Sequence, residues 1–570
     1  MTRDKKTFHR ASFGSSNNIG AEGMSKKGSR KKPFRIDIGE LIKPRQVQSA
    51  NIRPLSPQEH ALLSAMGGRT TVPRPAPVPL VKLDVSDEVA VGWETDDHAA
   101  GHPILRDNAL GARLAPLKNV PGPGRELVLG LDFGTSSTKV VLADQSLNIG
   151  YAVPLVEAVG VNSYLLPSAM IETEDGFYVL SGHGHRHADL KLAMLRNMTD
   201  DTACARVCAF LALVIRSARA WLYETKSDQY LRADILWTLA LGQPANPDKS
   251  NGSRTHFRLL AKVAWAIASE TGPIRVEIAL RTWRHREELD LGDELEVRAI
   301  AELSAQIHGF VSSSHFDARQ PNIYLMVDVG AGTVDASLFR VRKDAGGVVS
   351  FALFTHSVEL LGAASFNRYR VDWWQSQLGH AAQKLSSQDA RRARLALAVK
   401  DGLQRLKLPT EYRGRYPNDY SSYVKGVQVG YQGGALSPDA AYFANVLQQV
   451  SGQVLYGAWK QNLLSQDAVK NMPFFLCGGG ARHSFYAKLK DEVQRTPNCS
   501  WLSAKPRELA LPTNIVAPGL AVGDYDRLSV AYGLSQLNLG EYVRVSALRP
   551  VVQIQQQDDW ISSTVEKSAC

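Results

Sequence analysis

The sequence predicts an α/β protein whose core is duplicated into two lobes around a central cleft. The first observation is an apolar run that ends in Asp132 and is followed by a small, polar turn over residues 134–136. The second is a near-copy, in which an apolar run ends in Asp328 and a turn follows over residues 330–333. The third is a glycine-rich turn, 478–480, directly after another apolar run. The two aspartate-turn copies lie about 200 residues apart, which indicates a duplicated unit.

Each copy is expected to be a β-hairpin, because a second apolar run follows the turn, over 139–143 in the first and 336–341 in the second. A tight turn of this kind presents backbone N–H groups and hydroxyls to a phosphate chain. The aspartate beside each turn is placed to hold a hydrated divalent cation. We therefore expect the hairpins to clamp one nucleotide between the lobes. The candidate turn residues are Gly134, Thr135, Ser136, Gly330, Ala331, Gly332 and Thr333.

At these residues the chain resembles the superfamily of actin, sugar kinases and 70-kDa heat-shock chaperones. Segments 132–136 and 328–335 are similar to its two phosphate motifs, and segment 474–482 is similar to its adenosine motif. Within the superfamily, the chain is most similar to the nucleotide-binding domain of the heat-shock (DnaK-type) chaperones, over about residues 126–540. The other segments that carry this likeness are 166–168 with 177–182, 241–245, 301–305, 361–367 and 530–534.

The resemblance implies an actin-like ATPase fold with two lobes. Lobe I would span 126–322 and recover a closing helix at 527–540, and lobe II would span 323–526. Residues 541–570 would form a tail without a substrate-binding domain. The helices expected within the lobes cover 255–269, 390–406, 437–464 and 484–493.

The resemblance also implies a Mg²⁺-dependent ATPase that binds ATP or ADP. Asp132 and Asp328 would hold Mg²⁺ through water, while Asp335 and Glu302 would lie near the metal and the attacking water. Lys191 would contact the γ-phosphate. The remaining nucleotide-binding candidates are Gly362, Lys400, Gly478, Gly479, Gly480 and Arg482.

The helix expected over 390–406 departs from the family where the family contacts adenine. Lys400 matches the family, but Leu397, Asp401 and Gln404 stand at the other three contact positions. The base specificity of the nucleotide therefore stays open. The segment 412–431 holds five of the chain's 18 tyrosines, which predicts a local insertion with an exposed surface.

Residues 1–125 are predicted to be a mostly disordered extension. Residues 1–50 contain 12 Lys/Arg against 4 Asp/Glu, and such a tail can hold nucleic acid or an acidic partner. Residues 51–125 include 10 prolines, with four of them in 73–79, which favours extended backbone. Two short segments, 34–42 and 80–93, are candidates for local order, and 80–93 could form a strand on the core.

Composition predicts a cytoplasmic protein. The five cysteines are few, unevenly spaced and odd in number, so no disulfide framework is implied. No apolar run approaches the roughly 18–20 residues of a membrane span, and the N-terminus lacks an apolar signal-peptide core.

Two classes of function follow from these motifs. The first is a slow, chaperone-like ATPase switch, in which closure of the lobes on ATP changes affinity for a dedicated protein partner. The second is a small-molecule kinase of the same fold, in which an aspartate acts as base toward a hydroxyl. A nucleotide-dependent, actin-like filament protein is a third possibility.

Overall fold

The computed structural model describes residues 81–95, 101–114, 122–244, 250–292, 295–494, 503–536 and 539–544. Several features of the sequence lie outside the described residues, so the structure does not bear on them. They are the basic tail 1–50 with its segment 34–42, the proline run 73–79, Cys499 and the C-terminal residues 545–570 with Cys570.

Over the described residues the chain is a mixed α/β protein, as the sequence predicts. The strands are β1 (Val81–Val91), β2 (His102–Pro103), β3 (Gly124–Phe133), β4 (Ser137–Asp144), β5 (Ile149–Ala152), β6 (Val156–Glu157), β7 (Leu166–Pro167), β8 (Met170–Glu172), β9 (Tyr178–Val179), β10 (His185–His187), β11 (Asp234–Gln243), β12 (Leu295–Ala301), β13 (Ile323–Val329), β14 (Val334–Lys343), β15 (Val349–Glu359), β16 (Val424–Tyr431), β17 (Met472–Cys477), β18 (Ala504–Arg507), β19 (Ile515–Val516) and β20 (Leu539–Arg544).

The helices alternate with these strands along the chain. The α-helices are α1 (Asn108–Ala112), α2 (Leu190–Arg196), α3 (Asp201–Thr225), α4 (Ser227–Tyr230), α5 (Ser250–Ser269), α6 (Val276–Arg284), α7 (Glu302–Val311), α8 (Ala363–Leu385), α9 (Ala390–Gly402), α10 (Pro438–Leu447), α11 (Gly457–Lys460), α12 (Gln466–Val469), α13 (Ser484–Ala487), α14 (Leu489–Glu492) and α15 (Ser529–Leu534).

Two large sheets repeat one arrangement of strands. The first has the order β12-β11-β3-β4-β5-β19, with β7 also paired to β4, and the second has the order β18-β17-β13-β14-β15-β20. In both sheets the third, fourth and fifth strands form an antiparallel meander. In both, the other three strands add in parallel to their neighbours. The two sheets therefore agree in order and in direction over six positions.

Both hairpins expected from the sequence are present. β3 pairs with β4 up to Phe133 and Thr138, and β13 pairs with β14 up to Val329 and Val334. Each hairpin therefore has a four-residue connection. The strands are almost fully buried, because helices cover one face of each sheet and the two sheets share the other core.

Three apolar cores pack against the two sheets. One lies between the first sheet and helices α3, α5 and α6, and a second lies between the second sheet and the helical run that begins at α10. The third contains side chains from both sheets, together with α7 and α15. The pair α7 and α15 therefore packs in the core that the two sheets share.

Helix α15 approaches both α7 and β3 closely, because a glycine lies at each contact. A Cβ added to Gly533 of α15 would come within 1.9 Å of the backbone oxygen of Ala305 in α7. A Cβ added to Gly130 of β3 would lie 2.4 Å from the backbone oxygen of Ala531. Such distances leave no room for a side chain, so glycine is required at both positions.

The extension 1–125, expected to be mostly disordered, contains regular structure in its described parts. The strand expected over 80–93 is present as β1, which pairs antiparallel with β16. Val85 and Val89 of β1 are buried against α8 and α9. The chain continues to Trp93, and residues 101–114 add β2 and α1. The extension is therefore partly built into the fold, because β1 brings apolar side chains to an otherwise open helical face.

The five tyrosines of segment 412–431 are buried or half-buried, although other residues of the segment, such as 425, 426 and 428, are exposed as the sequence predicts. Tyr423 is fully buried, and its ring centroid lies 5.2 Å from that of Trp93. Tyr412 and Tyr416 contact the same tryptophan, at 6.4 and 6.3 Å. Trp93 arrives from the N-terminal strand, which is why the local sequence around 412–431 gives no sign of this packing.

Three helical expectations differ in extent from the structure. The closing helix expected over 527–540 is only α15, and β20 follows it, because 539–544 pair with the free edge of β15. The helix expected over 437–464 begins as α10, with Ser437 capping it and Pro438 at its first position, but continues as a π-helix over Gln448–Tyr456. The helix expected over 484–493 is the two short helices α13 and α14.

Within the described ranges, none of the helices combines the length and the apolar composition that a bilayer crossing requires.

The α7–α15 crossing can be tested by comparing the stability of a Gly533 variant with that of the wild type. Gly533→Ala is expected to destabilise the protein by about 2 kcal/mol, because the new methyl group meets backbone that cannot rotate away. Chemical denaturation of both proteins measures the difference. Gly523→Ala is the matched control, since a Cβ there meets nothing within 4 Å, and its unfolding midpoint should stay near that of the wild type. Equal midpoints for Gly533→Ala and the wild type would contradict the described crossing.

His308 of α7 generates a pH prediction. Burial, together with the Lys343 charge, lowers the pKa of His308 to about 4. Because the unfolded chain binds a proton near pH 6.5 and the folded chain does not, stability from this group is present above that pH and is lost as pH falls. Between pH 7 and pH 5 the wild type should lose about 2 kcal/mol more than His308→Gln, measured by denaturation. Parallel pH profiles would contradict the prediction.

Candidate functional site

A cavity of about 730 Å³ is lined by residues from both sheets. The hairpin turn between β3 and β4 and the hairpin turn between β13 and β14 both reach it. The lining also includes the start of α7, the glycine turn after β17 and the segment 412–418. The sequence-predicted residues that line the cavity are Asp132, Gly134, Thr135, Ser136, Lys191, Glu302, Asp328, Gly330, Ala331, Thr333, Asp335, Gly478, Gly479, Gly480 and Arg482.

The first turn is held by Ser168. The Ser168 hydroxyl donates to the Gly134 carbonyl at 2.7 Å, and its backbone N–H donates to the Ser136 carbonyl at 3.0 Å. The Thr138 hydroxyl lies 3.0 Å from that of Ser168. These contacts use the carbonyls of the turn. Within the described residues, the N–H groups of Thr135 and Ser136 have no protein acceptor, which leaves them for a ligand.

The second turn is held by the first turn of helix α8. The N–H groups of Gly362, Ala363 and Ala364 donate to carbonyls of the turn, at 3.2, 3.0 and 2.7 Å. The acceptors are, in that order, Gly332, Gly330 and Ala331. The turn thus satisfies donors that every helix leaves free at its N-terminus. The arrangement fixes the turn against α8 with its backbone at the cavity wall.

Two of the candidate charged residues form a pair in the cavity wall. The Lys191 ammonium donates to Glu302 Oε1 at 2.7 Å, although 111 residues separate them. Lys191 is buried in α2, and Glu302 is the first residue of α7. Burial raises the pKa of Glu302, Lys191 opposes this, and the charges of Asp132 and Asp335 add to the rise.

Asp328 is placed deep in the cleft between β13 and α7. Gln306 Nε2 donates to its Oδ2 at 2.6 Å, and a Cβ on Gly478 would lie 2.2 Å from its Oδ1. Burial raises the pKa of Asp328 to about 7, while the Gln306 hydrogen bond lowers it and the Asp335 charge raises it. The carboxylate is therefore held where no protein cation neutralises it directly.

The two hairpins differ in charge at equivalent positions. In the first, Asp132 lies opposite Lys139, and their side chains pair at 2.9 Å. In the second, Asp328 lies opposite Asp335, which receives a hydrogen bond from Ser337 and lies 3.3 Å from His356. One hairpin is thus internally neutral, while the other presents two carboxylates to the cavity.

The glycine turn after β17 carries Arg482 to the rim. Arg482 pairs with Asp526 at 2.7 Å and with Asp524 at 2.9 Å. Gly478 has φ +87°, a backbone conformation that side chains rarely adopt, and its N–H donates to Asp526. The turn therefore approaches the hairpin of β13 closely.

Three sequence-predicted residues do not line the cavity. Gly332 is buried against Leu192 and Thr135, and Gly362 is packed on the second turn. Neither glycine therefore reaches the surface of the cavity. Lys400 of α9 lines a separate depression, where a Cβ added to Gly379 of α8 would lie 3.8 Å from its Nζ. The structure therefore does not bring Lys400 together with the other candidate residues.

Several lining residues were missed by the sequence analysis. They include Lys139, whose position opposite Asp132 could have been derived from the hairpin register, and Gln306, one turn after Glu302 in α7. The segment 412–418 could not have been found, since no motif marks it. The missed lining residues with charged or aromatic side chains are Lys139, Tyr412, Arg413, Arg415, Tyr416, His483, Asp526 and Arg527.

Arg370 of α8 fixes the segment 412–418 in place. Its buried guanidinium pairs with Asp439 at 2.6 Å and donates to the carbonyls of Pro417 and Asn418, at 2.6 and 3.0 Å. It also lies 3.9 Å from the ring centroid of Phe366. The end of the segment is therefore tied to the interior of the protein.

The cavity residues fit a cation that is held through water. Asp132, Glu302, Asp328 and Asp335 offer the carboxylate oxygens that Mg²⁺ prefers, and their mutual repulsion contributes to the raised pKa of Asp328. Within the described part of the chain, no three His, Cys, Asp or Glu side chains converge to chelate a metal directly. Mg²⁺ usually keeps several water ligands and is bound by one or two carboxylates.

Comparison with models of known protein families and with curated proteins gives no match for this chain.

A matched pair of substitutions tests how much the buried contacts of Arg370 contribute to stability. Arg370→Met should destabilise the protein by about 3–5 kcal/mol, because it leaves Asp439 and two backbone carbonyls without their buried donor. Arg392→Met removes an arginine of similar chemistry that pairs with Asp87 on the surface, and should cost about 0–1 kcal/mol. Thermal and chemical denaturation compare the two variants. Equal losses would show that the Arg370 contacts are weaker than the geometry indicates.

Proposed function

We propose that this protein is a Mg²⁺-dependent, slowly hydrolysing ATPase of the actin-like fold, related to the heat-shock chaperone nucleotide-binding domain. In this proposal the two sheets are the cores of two duplicated lobes, and the cavity is the nucleotide cleft. The repeated strand order and direction of the two sheets support the duplication.

One observation carries the proposal. The two glycine-containing hairpin turns, from equivalent strands of the two sheets, face one cavity that also holds the Lys191–Glu302 pair and the aspartates of both hairpins. Backbone N–H groups of such turns bind phosphate oxygens, and carboxylates beside them organise a hydrated cation. A polyphosphate ligand explains why these groups converge.

The roles of the residues follow from the needs of phosphate-anhydride hydrolysis, which requires alignment and charge neutralisation more than covalent chemistry. Thr135, Ser136, Gly330, Ala331 and Thr333 bind and align the phosphate chain. Lys191 contacts the terminal phosphate and holds Glu302. The raised pKa of Glu302 suits it to orient the attacking water and accept a proton from it.

Mg²⁺, when bound, neutralises charge on the phosphate oxygens. Asp132 and Asp328 would hold it through water, and Asp335 would hold a further water of its shell. Lys139 orients Asp132, since their side chains pair at 2.9 Å.

Contacts between the two halves support a switch over a simple hydrolase. Arg186, from the half that contains the first sheet, pairs with Glu411 at 2.6 Å. Asp189 accepts a hydrogen bond from Thr410 and lies 3.6 Å from Arg368. These polar contacts can break and form as the two halves of the protein move relative to each other. A dedicated partner protein would bind one arrangement of the halves more tightly than the other.

The proposal is tested by calorimetric titration of ATP and ADP with Mg²⁺. We expect micromolar or tighter binding by the wild type and at least about tenfold weaker binding by Asp328→Ala. Turnover on the same samples should be far below the roughly 1–10³ per second of typical enzymes.

Asp175→Ala is the control, because Asp175 lies exposed in the turn between β8 and β9. Its affinity should equal that of the wild type. Turnover that rises only with an added hydroxyl substrate would favour a kinase, and ATP-dependent sedimentation would favour a filament. Absence of binding by the wild type would overturn the proposal.

A further inference from the structure

We propose that Arg413 and Arg527 form a second phosphate-binding subsite in the cleft, separate from the two hairpin turns. The inference rests on the proposed function and extends it, since neither arginine belongs to the motifs that suggested a nucleotide. The ligand group is a phosphate of the bound nucleotide, bound by guanidinium groups from two further segments of the cavity wall.

Arg413 carries buried donors that the protein does not use. Its Nη1 and Nη2 atoms are both buried and have no hydrogen-bond partner. Arg413 lies in the cavity wall, and burial lowers its pKa to about 9, with the Arg527 charge adding to the effect. A guanidinium with both terminal nitrogens free is the fork that binds phosphate oxygens in a bidentate manner.

Arg527 lies at the glycine turn and faces the same space. A Cβ on Gly479 would come within 3.1 Å of its guanidinium carbon, so glycine there makes room for it. The charges of Asp328 and Asp132 act on Arg527, which places it toward the phosphate end of the cleft. Two like charges brought together in a cavity favour an anion between or beside them.

The two buried lysines of the cavity wall and the exposed Arg482 at its rim already have partners. Lys139 pairs with Asp132, Lys191 with Glu302, and Arg482 with Asp526. Among the described residues, neither Arg413 nor Arg527 has a carboxylate within ion-pair distance. These two arginines therefore carry positive charge without a direct carboxylate partner among the described residues.

The backbone that carries Arg413 is anchored on both sides. Before it, Glu411 pairs with Arg186, and Tyr412 packs on Trp93. After it, the Pro417 carbonyl accepts from Arg370 at 2.6 Å and lies 3.1 Å from His483 Nε2. The unused donors are thus held in position rather than free to turn to solvent, as a preorganised binding site requires.

Ligands that share the nucleoside but differ in their number of phosphates distinguish phosphate recognition from recognition of the nucleoside. Adenosine, AMP and ADP with Mg²⁺ are titrated against wild type, Arg413→Gln and Arg527→Gln. We expect each variant to bind ADP at least about tenfold more weakly than the wild type does, and adenosine within about twofold of it. Arg413→Lys keeps the charge but loses the fork, so its ADP affinity should lie between those of Arg413→Gln and the wild type.

Arg405→Gln is the control, because Arg405 is exposed and outside the cavity. Its affinities should match the wild type, and circular dichroism shows whether each variant is folded. An equal loss for adenosine and ADP in Arg413→Gln would overturn the inference, since the arginine would then contact the nucleoside. Unchanged ADP affinity in both variants would also overturn it while leaving the proposed function intact. Absence of binding by the wild type for all three ligands would overturn both.

Discussion

The close crossing of α7 and α15 is the contact on which the rest of the structure depends. Both helices lie in the core that the two sheets share, and Gly533 allows α15 to rest on the backbone of α7. The same helix rests on β3 at Gly130, two residues before Asp132. Glu302 begins α7, and Arg527 lies two residues before the start of α15. One packing contact therefore sets the positions of a carboxylate, a guanidinium and the first hairpin relative to one another.

The second constraint is electrostatic and arises from the repeated hairpins. Equivalent positions carry Lys139 in one hairpin and Asp335 in the other, so the pair Asp132–Lys139 is neutral while Asp328–Asp335 is not. Gln306 supplies a neutral donor to Asp328, which stabilises the carboxylate without cancelling its charge. Because of this asymmetry, the cavity wall formed by the second hairpin is negatively charged, whereas the other walls carry cations. A ligand that combines phosphates with a divalent cation matches both sides.

The sequence predicts those parts of the site that depend on local pattern. Each hairpin could be derived from an apolar run, an aspartate and a small turn, and the strand 80–93 from its alternation. The proximity of Lys191 to Glu302 followed only from the resemblance, because 111 residues separate them. Lys400 lies outside the cavity lining, and spacing along the chain does not reveal which face of α9 meets the cavity.

What could not be predicted depends on contacts between distant segments. Arg413 and its neighbours lie in a stretch without a motif, and their position is set by Trp93 and Arg370 from other parts of the chain. The packing of the tyrosines likewise needs a tryptophan that arrives on β1. Propensity and hydrophobic periodicity describe one segment at a time, so they cannot predict a cavity wall that three distant segments form together.

The pairing of β1 with β16 has a consequence for the order of events during synthesis. More than 300 residues separate the two strands along the chain. At about 5–20 residues per second, a ribosome would need roughly 15 to 70 s to add β16 after β1 has been made. During that interval the buried valines of β1 have no partner strand, and Trp93 has no tyrosines to contact. The wall that carries Arg413 is therefore completed well after the β3–β4 hairpin has been synthesised, and at that stage the first sheet still lacks β19.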